Sequence, residues 1–169
     1  MFVKKDFVLL NDIAFVALFF YLIGAFFQAS TFICPSNRLK WWVLGFGFIA
    51  VCLHALLLHV WIDIAPGQNL NFFNLFSLMT WLIALFVLVV ATQKPIELLT
   101  LIIFPLNALS IGFILLFPKQ AVINTLAHPD TLFHILLSVF RFVFYVLRDY
   151  ARYYWDCKNT AYVIKKCPN

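Results

Sequence analysis

The chain has 169 residues, a formal net charge of +5, 64% hydrophobic residues and 11% charged ones, and its mean hydropathy is +0.97. Ordinary globular domains hold only ~45–50% apolar residues, so this composition excludes a soluble domain built around one core. The basic residues form no stripe along one helix and stand near the ends of apolar runs, which argues for membrane anchoring and against nucleic-acid binding.

Apolar runs long enough to cross a ~30 Å hydrocarbon layer at ~1.5 Å per residue recur along the sequence. From Trp41 to Thr92 the sole formal charge is Asp63. Spanning segments must be helices or closed barrels, because unpaired backbone groups are too costly in lipid, and these few long runs cannot close a barrel. The expected fold is therefore all-α, a polytopic transmembrane bundle of about five helices.

The first span is predicted at 7–29, behind Lys4 and Lys5. No small-residue cleavage site follows it, so it reads as a retained helix rather than a signal peptide. After the turn Cys34-Pro35-Ser36-Asn37, the second span runs from Trp41 to Ile62. Pro66-Gly67 marks the next turn, and the third span covers Leu75 to Thr92. Beyond Lys94-Pro95 the fourth span extends from Ile96 to Phe117, with Pro105 expected to kink it beside Asn107. His128-Pro129-Asp130 precedes a fifth span starting near Thr131. Arg38, Lys40 and Lys94 hold the first and third loops inside, which leaves the amino terminus and the loops of Gly67–Asn71 and His128–Asp130 outside. Lys4 and Lys5 pull the other way.

The composition breaks at Arg141. Five of the six tyrosines follow it, and six of the twelve basic residues lie from Arg141 onward. If each codon is started on the third base of the present one, Phe144-Tyr145, Asp149-Tyr150, Tyr153-Tyr154, Tyr154-Trp155 and Asp156-Cys157 each give leucine whatever the synonymous codon. Trp155-Asp156 gives glycine, and the shifted frame admits a continuous membrane helix. The chain is accordingly divided into a membrane-embedded part, 1–140, and a basic tail, 141–169, read as frameshifted. The competing reading is a basic amphipathic helix on the membrane surface.

Four histidines carry the candidate chemistry, since imidazole is the commonest metal ligand and a natural axial ligand for haem iron. His54 lies mid-span, where it is either a ligand or a packing histidine hydrogen-bonded across the bundle. His59 is five residues further on, about 140° around the helix, so the two do not share a face. It reads as an interfacial residue, and His128 as a solvated turn residue. His134 opens the fifth span at the outer surface, from which an imidazole reaches a flat cofactor. Among the other polar residues, Asn74 and Ser77 read as caps of the third span, and Asn11 and Asp12 as headgroup-level residues. Cys34, Cys52, Cys157 and Cys167 form no CxxC, which excludes a thioredoxin-like pair, a zinc knuckle and covalent c-type haem attachment. No paired carboxylates or activated nucleophile converge in any span, so an enzyme is not expected.

Several motifs taken together resemble a known family. They are Cys52-Leu53-His54-Ala55, Gly67-Gln68-Asn69-Leu70 with Asn74 and Ser77-Leu78, Pro105 with Asn107-Ala108, and His134-Ile135-Leu136-Leu137-Ser138. Over 14–140 the chain resembles the amino-terminal half of the cytochrome c assembly family, CcsA-type, nearest to YpjD-like inner-membrane proteins. The resemblance implies haem handling during cytochrome maturation in a bacterial inner membrane, with His134 at a haem-ligand position and His54 matching a histidine within a membrane helix. It also implies haem, lipid and other cytochrome c maturation proteins as partners. One departure is plain: the family's tryptophan-rich outer-loop motif has no counterpart in LFPKQAVINTLAHPDTLFH, which contains no tryptophan. The alternatives are a polar-solute or ion transporter component using Asn107, Gln68 and His54, and an accessory subunit of a respiratory membrane complex.

Overall fold

A computed structural model of the chain describes residues 2–33, 36–64, 67–92, 97–118, 121–123 and 129–166. It contains five helices: α1 (Phe2–Ile33), α2 (Asn37–Ile62), α3 (Phe72–Ala91), α4 (Glu97–Leu116) and α5 (Pro129–Lys166). The all-α expectation holds. Three short strands, which the sequence reading did not anticipate, add a small antiparallel sheet: β1 (Asp63–Ile64), β2 (Gly67–Asn69) and β3 (Val122–Ile123), in the order β1-β2-β3. They pair Asp63 with Gln68 and Asn69 with Val122, tying the α2–α3 connection to the segment after α4.

The chain divides into two compact units, Met1–His128 and Pro129–Asn169. In the first, four segments are long and apolar enough to cross a membrane: Leu9–Thr31, Asn37–Ile62, Phe72–Ala91 and Leu98–Leu116. α3 and α4 have 20 residues each, about 30 Å at ~1.5 Å per residue, which matches the hydrocarbon thickness. α1 packs on α2 and α4, and α3 packs on α2 and α4, so the helices close a four-membered ring.

Local chemistry fixes the ends. The Ser36 hydroxyl caps α2 by accepting from the Arg38 N–H at 3.3 Å. α3 starts at Phe72, earlier than the predicted Leu75, because Asn71 rather than Asn74 or Ser77 is its cap. The Asn71 Oδ1 accepts from the Asn74 N–H at 2.8 Å. α4 runs unbroken through Pro105. Phe104 is fully buried between helices. Its ring lies so close to Gly24 and Gly47 that a Cβ at either position would fall 2.7 and 2.5 Å from it.

The second unit is α5, a single helix that continues through Phe140 and Arg141. The fifth helix is present as expected, but among the described residues only the four segments above are apolar enough to span. The charges are the reason. Arg141 and Arg148 flank the Tyr145 ring, with guanidinium carbons 5.5 and 4.8 Å from its centroid, and Arg148 pairs with Asp149 at 2.9 Å. The turn residues Cys34-Pro35, Pro66 and Lys94-Pro95, together with Lys119 and His128, lie outside the described residues.

Candidate functional site

The bundle interior holds a seam of polar side chains from all four helices, every one shielded from solvent. Tyr21, His54, Ser77, Ser110 and Asn107 are each 0% exposed and Thr80 is 2% exposed. Tyr21 Oη lies 3.2 Å from His54 Nδ1, and His54 Nε2 lies 2.8 Å from Ser77 Oγ. Ser77 Oγ is 3.2 Å from Ser110 Oγ, and Ser110 Oγ donates to the Asn107 carbonyl at 2.8 Å.

The terminal carbonyl orders the whole series, because it can only accept. Ser110 donates to it and therefore accepts from Ser77. Ser77 in turn accepts from the His54 Nε2–H, which leaves Nδ1 to accept from the Tyr21 hydroxyl. This assignment satisfies every bond with a neutral, Nε2-protonated imidazole. Four hydrogen bonds then point one way from α1 to α4. In lipid such a network is held because its alternative is bare polar groups in hydrocarbon.

Asn107 stands beside the seam. Its Nδ2 donates to the Thr80 carbonyl at 3.1 Å and the Ile103 carbonyl at 2.9 Å. Its Oδ1 makes no hydrogen bond of acceptable geometry among the described residues. Thr80 donates to the Ser77 carbonyl at 3.0 Å.

At the sheet end of the bundle the amides form a second cluster. Asn69 Oδ1 accepts from the Ala121 N–H at 2.8 Å. Asn74 Nδ2 donates to the carbonyls of Asn69 at 2.8 Å and Trp61 at 3.3 Å, which ties α3 to the end of α2. Asn74 Oδ1 is buried and has no hydrogen-bond partner among the described residues.

The predicted site residues are placed as follows. His54 is in the seam with both ring nitrogens engaged, the arrangement expected of a packing histidine, and it has no open coordination position. His134 is exposed on α5, where the Ser138 hydroxyl donates to its carbonyl at 2.9 Å. Its imidazole has no partner among the described residues. His54 and His134 belong to different compact units. His59 is exposed, 3.9 Å from Asp63. Among the described residues no three His, Cys, Asp or Glu side chains group as a metal site. Ser77, expected as a cap, is instead a core link, and Gln68 is a sheet residue.

The sequence reading missed Tyr21, Thr80 and Ser110. A signal existed for two of them: Ser77 with Thr80, and Asn107 with Ser110, stand at i,i+3 and so share a helix face. Compared with protein-family models, with curated proteins and with solved structures, the chain matches none.

Proposed function

We propose that the chain is an integral membrane protein of haem handling in cytochrome c assembly, multi-pass in a bacterial inner membrane, non-enzymatic, and holding haem through His134. One contrast supports this reading. His54 has both nitrogens committed to the bundle. His134 is exposed near the start of α5 with a ring free of partners among the described residues. A haem ligand needs an unoccupied nitrogen lone pair, and His134 offers one where His54 does not. On this reading the α1–α4 bundle is the scaffold and the seam is its structural lock. Lipid, haem and other maturation proteins are its partners.

The test is haem titration of the purified chain followed by its Soret band. His134→Ala should lower occupancy and shift the band, because the iron–nitrogen bond is lost. His59→Ala should leave both unchanged. Equal spectra for the two variants would reduce His134 to a surface residue.

The seam favours a second reading, a polar-solute or ion pathway, because a one-way chain of hydroxyls around a buried imidazole is a reasonable route for a small polar species. Liposomes holding the protein should then leak protons or a small solute, and Asn107→Leu should abolish the leak. Equal flux from protein-free liposomes would dispose of this reading.

A further inference from the structure

The sequence of α5 sorts its residues by side. At ~100° per residue, Arg141, Arg148 and Arg152 fall within about 40° of one another, and all three are exposed. Val139 and Val143 stand on the opposite side and are buried. Beside the arginines runs a second exposed row, Phe133, Leu137, Phe140, Phe144 and Trp155, which shares a sector of about 60°. Each of the five is between 41 and 64% exposed. Over its whole length α5 holds six basic residues against three acidic ones. A row of cations is thus flanked by uncovered apolar rings.

The arginines are arranged for an anion. Arg141 and Arg148 lean on one ring, with guanidinium carbons 5.5 and 4.8 Å from the Tyr145 centroid, and Arg141 Nη2 donates to the Tyr145 hydroxyl at 3.3 Å. Tyr145 therefore gathers two cations on one side of the helix. Arg148 shares its charge with Asp149 at 2.9 Å, but Arg141 makes no ion pair among the described residues. Phosphate is the oxyanion whose oxygens match a guanidinium two at a time. The aromatic row says where that phosphate comes from. Free phosphate would leave Phe140 and Trp155 in water. At a bilayer surface the rings enter the acyl boundary while the arginines stay among the headgroups. The excess of positive charge selects an anionic headgroup over a zwitterionic one. We propose that α5 lies on the bilayer surface and binds anionic phospholipid. Arg141, Arg148 and Arg152 hold the headgroup phosphates, and Phe133, Leu137, Phe140, Phe144 and Trp155 sit in the acyl boundary. This contact is separate from the haem reading and depends on the residues the helix carries, whichever reading frame produced them.

The test uses the full chain in nanodiscs of phosphatidylcholine alone and of a phosphatidylcholine–phosphatidylglycerol mixture. Amide hydrogen exchange over 141–156 is followed by mass spectrometry. Each basic residue near an anionic surface contributes about five-fold in affinity, so phosphatidylglycerol should slow this exchange about ten-fold or more. Amides of α2 and α3 should not change. High salt should remove the difference, since it screens headgroup charge. The triple variant Arg141→Gln, Arg148→Gln, Arg152→Gln should exchange alike in both lipids, whereas lysine at the three positions should keep most of the slowing. Trp155 emission, taken as the difference between the parent and Trp155→Phe, should be quenched by acyl-brominated phosphatidylglycerol. The proposal is overturned if phosphatidylglycerol gives no slowing, if the slowing survives high salt, or if the folded glutamine variant keeps it. Full protection in phosphatidylcholine alone, or an unquenched Trp155, would assign the aromatic row to a protein contact and overturn it as well. The lipid and salt comparisons need no variant, so they decide the matter even if the triple variant does not fold.

Discussion

Gly47→Ala should weaken the bundle, whereas Gly45→Ala, two residues earlier on the same helix, should not. At Gly47 a Cβ would lie 2.5 Å from Phe104 Cζ and 2.8 Å from Leu88 Cδ2. Carbon atoms pack at ~3.5–4.0 Å, so each neighbour must retreat by roughly 1 Å. Phe104 has nowhere to retreat to, being fully buried against Tyr21 at 5.8 Å between ring centroids and facing Gly24 as well. Overpacking of this kind costs about 1–3 kcal/mol. At Gly45 a Cβ meets nothing within 4 Å, and replacing a helical glycine by alanine gains up to ~1 kcal/mol. Thermal unfolding of the purified variants in one detergent, followed by fluorescence, measures the difference. A double-mutant cycle isolates the contact: a Cβ at Gly24 would meet only Phe104, at 2.7 and 2.8 Å within the closest range. Phe104→Leu should therefore offset much of the cost of Gly24→Ala, a coupling of about 1–2 kcal/mol. Equal unfolding temperatures for Gly45→Ala and Gly47→Ala would refute this account of the helix packing.

The other predictions address the seam, the cap and the tail. His54→Ala strands the Tyr21 hydroxyl and Ser77 in the core, and should cost about 1–3 kcal/mol for each group left unpaired, read in the same unfolding assay. Asn71→Ala removes the α3 cap and should cost about 1 kcal/mol, with faster amide exchange confined to the first turn of α3. Sequencing the gene across the Phe140 codon should reveal a frame error. Restoring the frame there should lengthen the protein's lifetime in cells and raise its haem occupancy, and a chain of unchanged lifetime would mark the basic helix as a genuine element.

The four spans were legible because hydropathy accumulates over some twenty residues, and no local detail outweighs that sum. α2 ends at Ile62 as read, and α4 differs by a residue at each end. The seam was only half legible. His54 and Asn107 stand out as polar residues in apolar runs, but their partners are hydroxyls, which hydropathy barely registers. Tyr21 is separated from His54 by 33 positions, and only the assembled bundle brings them together. The sheet was illegible because strands of two or three residues are too short to show alternation. Gly24 and Gly47 carry no pattern that distinguishes them from Gly45. Their importance comes from one phenylalanine on another helix.

The central claim is that the bundle spans the membrane with its amide-lined end outside, as the basic residues of the first and third loops require. Topology reporters fused after Gly67 and after Lys94 test it most directly. Arg38, Lys40 and Lys94 flank the opposite end of the spans and should be retained in the cytoplasm. The fusion after Gly67 should therefore report an external location and the fusion after Lys94 a cytoplasmic one. The reverse pattern would put the amide cluster inside the cell and contradict haem handling on the outer face.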